Sequence, residues 1–137
     1  MARTEKFRQH HDELVALVGK IQKSLSGNVA AEVENISTTL TTITGKLTVH
    51  LSMEDSVLYP QMIASPDAAI SGAAKKFQTE MSGIKEVYVA FTRKWGKTAI
   101  AADTAGFAKE FAGIAQALAN RITRENNELY PLADKLG

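Results

Sequence analysis

His50 and Glu54 stand four residues apart. On a helix that spacing is about one turn, so an imidazole and a carboxylate address the same point from one face. The spacing returns 71 residues later as Arg121 and Glu125, and the flanks return with it: HLSMEDSVLYP (His50 to Pro60) and RITRENNELYP (Arg121 to Pro131) share Glu-x3-Leu-Tyr-Pro. Imidazole nitrogen and carboxylate oxygen are donors that ferrous iron, manganese and zinc accept. A guanidinium has no lone pair and stays protonated, so Arg121 can supply counter-charge but cannot ligate. Burying Glu54 and Glu125 as anions is costly without a compensating cation, which calls for a metal, Arg121 or a protonated histidine beside them. His11 is the inward member of the His10-His11 pair, because it lies on the stripe Phe7, His11, Leu14, Val18, Ile21, Leu25. A lone histidine there would be an ordinary core residue. Beside His50, Glu54 and Glu125 it becomes a candidate ligand. Arg124 and Glu128, further from the stripe, fit a solvated ion pair.

Long helices are needed to hold these groups together. Along four stretches apolar residues recur at alternating steps of three and four, as amphipathic helices require. The first is the stripe through His11, ended by Gly27-Asn28. The second carries Val33, Ile36, Leu40, Ile43, Leu47, His50, Glu54 and Leu58. Its many threonines are only fair helix formers, so periodicity carries the assignment, and Tyr59-Pro60 is expected to stop it. The third runs Phe77, Met81, Ile84, Tyr88, Phe91, Trp95, and the fourth Phe107, Phe111, Ile114, Leu118, Glu125, Leu129, Leu132 behind a cap at Asp103 or Thr104. Short connections favour antiparallel neighbours. The expected fold class is all-α, an up-down antiparallel four-helix bundle forming one domain over residues 1–137. KFRQHHDEL (Lys6 to Leu14) also aligns with KFQTEMSGI (Lys76 to Ile84), so the bundle reads as two similar helical hairpins. In that register His10 matches Glu80, His11 matches Met81, His50 matches Arg121 and Glu54 matches Glu125.

Composition narrows the function classes. A formal charge of +1, from 16 basic and 15 acidic residues spread along the chain, leaves no footprint for nucleic acid or an acidic membrane. Without cysteine there are no disulfides, thiolate metal sites or cysteine nucleophiles. MARTEKFRQHHDEL has no apolar leader core and no run approaches the roughly 20 apolar residues of a membrane span, so a soluble cytoplasmic protein is expected. Gly96-Lys97-Thr98 lacks the preceding glycine and strand of a phosphate loop. Neither a nucleophile elbow nor a dinucleotide fingerprint occurs.

His11, the His50/Glu54 pair, the recurring Glu-x3-Leu-Tyr-Pro and the internal repeat together resemble the hemerythrin-like (HHE cation-binding) domain family, over essentially the whole chain. The resemblance implies a four-helix bundle around a non-haem di-iron centre, with histidines from all four helices and two bridging carboxylates. Carried across residue by residue, it implies His11 and His50 as ligands of one iron and Glu54 and Glu125 as the carboxylates. The other iron's histidines are missing: Glu80 and Met81 stand on the third helix and Arg121 on the fourth. Three arrangements are open. His11, His50, Glu54 and Glu125 hold one metal ion, with Arg121 as counter-charge where a second would sit. Alternatively, two metals recruit Glu80, with His10 or Glu128, into a carboxylate-richer set. In the third, no metal binds and Arg121 bridges Glu54 and Glu125 in a network with the histidines. The implied function is non-haem metal binding, iron first, in oxygen, redox or metal sensing or handling, with dioxygen or a small redox ligand as partner. Oxygen carriage is not expected without the second set of histidines. Turnover would take the form of a carboxylate-rich di-iron oxidase, and the alternative from another class is a metal-free interaction or scaffold module.

Overall fold

The computed structural model describes residues 4–81 and 83–136, and among them the regular elements are all helical. Helix α1 (Glu5–Leu25) turns at Ser26-Gly27 into α2 (Val29–Met53), whose first turn is capped by Asn28 accepting from the Ala31 N–H at 3.3 Å. A π turn (Glu54–Leu58) carries α2 into α3 (Tyr59–Ile63). There follow α4 (Ala68–Met81), α5 (Ile84–Lys94), the short α6 (Lys97–Ala102) and α7 (Thr104–Arg124), which a second π turn (Glu125–Leu129) joins to α8 (Tyr130–Ala133). Asp103 caps α7, its Oδ1 accepting from the Gly106 N–H at 2.9 Å. Four threonines of α2 turn their hydroxyls back on the helix: Thr39, Thr41, Thr42 and Thr44 each donate to the carbonyl four residues earlier, so none of these needs a partner elsewhere.

Cross-helix contacts fix direction. His11 faces His50 while Glu13 pairs with Lys46, so α1 and α2 run antiparallel. Met81 faces Arg121 and Trp95 faces Glu110, so the run through α4 and α5 lies antiparallel to α7. No helix among the described residues is long and apolar enough to cross a membrane.

Two features depart from the periodicity. Tyr59-Pro60 does not stop the second helix. A proline inside a helix lacks the N–H for its carbonyl four residues back and its ring crowds that oxygen, so the ladder loosens one turn earlier: the Tyr59 N–H reaches Glu54 O, five residues back. Pro131 does the same to the Tyr130 N–H and Glu125 O. The third run is also broken. Gly83 adopts φ +93°, a left-handed turn that separates α4 from α5.

The apolar core falls into two clusters. Leu14, Ile43, Leu47, Tyr88, Phe107 and Phe111 belong to one, and Phe7, Leu58, Tyr59, Phe77, Leu129 and Tyr130 to the other. Along α1 the switch from one to the other occurs between Phe7 and Leu14, along α2 between Leu51 and Leu58, and along α7 between Leu118 and Leu129. Buried His11, Glu54, Arg121 and Glu125 occupy those gaps, and buried His50 borders the second of them beside Leu51. They form a polar layer between two oily ones, at the level of the Gly83 break.

Candidate metal centre

Periodicity delivers the four candidate donors to one place. His11 Nε2 lies 3.1 Å from His50 Nε2 and 2.9 Å from Glu125 Oε1. His50 Nε2 is 3.4 Å from Glu54 Oε2 and 3.8 Å from Glu125 Oε1. One donor atom from each residue lies within 4.8 Å of all the others, and all four side chains are buried. Bonds of about 2.0–2.2 Å to a common ion place neighbouring donors roughly 2.8–3.6 Å apart in tetrahedral or octahedral sets. The donor set therefore has the size of one ion's coordination shell.

The ring nitrogens point the same way. His11 Nδ1 sits 2.9 Å from Asn126 Oδ1. With that oxygen accepting, Nδ1 carries the hydrogen and Nε2 presents a lone pair to the cluster, the orientation a ligating histidine takes from its outer partner. Behind His50, its Nδ1 faces His10 Nδ1 at 3.2 Å. Two imidazole lone pairs 3.1 Å apart repel, so the geometry requires a proton or a metal ion between them.

Each carboxylate divides its two oxygens. Glu125 Oε1 and Glu54 Oε2 face the histidines; Glu125 Oε2 accepts from Arg121 Nε at 3.3 Å, and Glu54 Oε1 from Arg121 Nη2 at 3.0 Å. The third guanidinium nitrogen, Nη1, donates to the Met81 carbonyl at 3.1 Å, an oxygen that the end of α4 leaves without a helical partner. Burial works against the charge on Arg121, but Glu125 and Glu54 outweigh it and hold the guanidinium protonated. Burial also raises Glu54 above the usual carboxylate range. For Glu125 the neighbouring imidazoles of His11 and His50 and the charge of Arg121 overcome burial and hold it well below that range. For His50 burial is likewise overcome, by Glu125 and Glu54, which push its pKa up to about 9. Without a metal, His50 at neutral pH is an imidazolium.

The π turns supply a residue the periodicity hides. Residues five apart on an unbroken α-helix point about 140° apart. The wider turn at Glu125 brings Tyr130 round to its side, and the Tyr130 hydroxyl donates to Glu54 Oε2 at 2.8 Å. The same turn frees the Asn126 carbonyl, which accepts from Arg8 Nη1 at 3.3 Å.

Residues 2–133 match the hemerythrin HHE cation-binding domain family. The chain belongs to the hemerythrin family. No curated protein and no solved structure matches it. In this member of the family, His11, His50, Glu54 and Glu125 meet, and Arg121 meets both glutamates. Glu80 does not join them. Its exposed carboxylate pairs with Arg124 at 2.8 Å and approaches Lys76 at 4.0 Å, because Glu80 faces outward from α4 one residue before the helix turns the Met81 carbonyl to the layer. Glu128 is likewise taken by Arg124, outside the layer. His10 stays at the rim, behind His50. Glu80 and Glu128 thus lie outside the layer and a guanidinium stands between the far oxygens, so the structure does not bring the carboxylate-richer set of donors together. For Tyr130 the signal in the sequence is the recurrence of Tyr in both Glu-x3-Leu-Tyr-Pro copies. Asn126 gave none, since on an α-helix the residue after Glu125 faces elsewhere.

Proposed function

We propose that the protein is a non-haem metal-binding hemerythrin with a single-ion site, iron being the preferred metal, in one four-helix domain of two similar hairpins. The observation that carries it is the convergence of His11 Nε2, His50 Nε2, Glu54 Oε2 and Glu125 Oε1 in a shell of ligand-sized separations. Two imidazoles and two carboxylates suit ferrous iron, manganese or zinc. Bound there, a redox metal would supply a one-electron couple and a Lewis-acidic position for a small ligand. The chain's own contribution is to orient His11 through Asn126 and to set the positive charge of Arg121 against the far carboxylate oxygens. That fits sensing or handling of oxygen, redox state or metal.

A second function is favoured by a specific feature: Arg121 bridges both buried glutamates without any metal. The guanidinium stands against ionised Glu125, while burial raises Glu54 toward its neutral form, as in a scaffold module. The experiment is metal addition to chelator-stripped protein under anaerobic conditions, followed by metal analysis. One iron, manganese or zinc ion per chain is expected, with loss of binding in His50→Ala. No uptake of any of the three favours the scaffold, and two ions per chain would overturn the single-ion site.

A further inference from the structure

Tyr130 is wholly buried, and its oxygen is near every donor of the cluster. It lies 2.8 Å from Glu54 Oε2, 3.1 Å from His11 Nε2, 3.4 Å from His50 Nε2 and 3.4 Å from Glu125 Oε1. These are again the separations of neighbouring donors around one ion. A phenol has one hydrogen to give. Donated to Glu54, it leaves the oxygen free to accept from an imidazole N–H, but pressed against a second carboxylate that it cannot then bind.

We propose that Tyr130 is a fifth protein ligand, its phenolate oxygen binding the ion held by His11, His50, Glu54 and Glu125; this rests on the metal-binding function above. The ring is set for the role. It stacks on the His11 imidazole, with centroids 5.2 Å apart and planes 22° apart, leans on Phe7 at 5.8 Å, and carries the Arg8 guanidinium 5.4 Å above its centroid. Arg8 is itself tied to the carbonyl released by the π turn. Without a cation, burial and the neighbouring Glu125 and Glu54 keep the phenol protonated, so a metal must displace its proton to solvent. Phenolate is a hard anionic donor. With it the donor set carries three negative charges against the one positive charge of Arg121, so a ferric ion leaves the buried layer at +1, the value a divalent ion gives with a neutral phenol. The site thus suits the trivalent state of iron.

The test loads chelator-stripped wild-type protein, Tyr130→Phe and Tyr59→Phe with ferric nitrilotriacetate. Bound iron per chain, visible absorption and resonance Raman spectra are then compared. Expected are one iron per chain, a phenolate-to-iron charge-transfer band with phenolate ring modes in wild type and Tyr59→Phe, and loss of both signals in Tyr130→Phe with iron held at least about tenfold more weakly. Iron bound by the wild type without those signals, or signals that survive in Tyr130→Phe, would overturn the ligation and leave the metal site standing. No iron bound by any of the three defeats the metal site and the ligation together.

Discussion

Both copies of Glu-x3-Leu-Tyr-Pro fold alike, with a glutamate opening a π turn, a tyrosine closing it and a proline behind, yet they face opposite environments. On one side of the two glutamates stand His11, His50 and Tyr130, whose polar atoms crowd one another at 3.1–3.4 Å. On the other stands Arg121, satisfied by three oxygens, and the Tyr59 hydroxyl finds no partner among the described residues. The backbone of the duplicated site is therefore kept where its chemistry is not. Countering the charge of buried carboxylates is a requirement of the fold, and a guanidinium hydrogen-bonded to both glutamates contributes to it on the side that lacks histidines. Arranging lone pairs to converge is a separate requirement, which only the histidine side fulfils.

Removing the guanidinium should show the difference most strongly. Arg121→Met leaves Glu54 and Glu125 buried with an unmatched charge and strands the Met81 carbonyl. Taking one partner from a buried ion pair costs about 3–5 kcal/mol. Urea unfolding of chelator-stripped protein should show a loss of that size. An unchanged midpoint would mean that the carboxylates are neutral and that Arg121 carries no structural charge. Added metal should return part of the loss, since it supplies the missing positive charge from the other side.

The histidine side predicts a pH dependence whose sign changes with metal. In metal-free protein His50 has its pKa raised from 6.5 to about 9. A raised folded-state value contributes stability that is complete below the unfolded value and is lost as pH climbs through about 9. The shift corresponds to roughly 3 kcal/mol. Melting temperature of the stripped protein should fall between pH 7 and 10. With metal bound, His50 must be neutral, so the stabilisation added by metal should grow with pH over the lower part of that range. A stripped protein equally stable at pH 7 and pH 10 would refute the imidazolium between the glutamates.

Much of this was visible in one dimension because helical periodicity is a local rule. The stripe through Phe7, His11 and Leu14 puts His11 inward whatever the neighbouring helices do, and the four-residue spacings of His50/Glu54 and Arg121/Glu125 hold on any α-helix. What escaped depends on departures from that rule. Pro60 and Pro131 signalled an interruption, but a terminus and a π turn share the same cue, and only the packing of Met62 beyond the proline in one cluster with Leu58 and Tyr59 before it favours continuing. Glu80 illustrates a different failure. Aligned with His10, which itself lies at the rim, it was an outward position in both hairpins, and the break at Gly83 gave the inward task to a backbone carbonyl that no side-chain pattern encodes.

The smallest expected effect separates the two tyrosines. Tyr59 and Tyr130 are both buried, at 1% and 0% exposure, and fill equivalent places in the second apolar cluster. Burial pushes both phenols well above their usual pKa. Only Tyr130 recovers the cost of dehydrating its hydroxyl, through Glu54. Replacing a hydrogen-bonded buried hydroxyl by hydrogen costs about 0.5–1.5 kcal/mol, whereas deleting one with no partner removes a desolvation penalty of about 1–3 kcal/mol, part of which the small void takes back. In stripped protein, Tyr130→Phe should therefore lower stability by about 1 kcal/mol and Tyr59→Phe should leave it unchanged or raise it by up to about 1 kcal/mol, read from paired urea titrations. Equal losses in both would show that the Tyr59 hydroxyl has acquired a partner in solution, a water or a small ligand beside Arg121, and that the two sides of the layer are more alike than their side chains suggest.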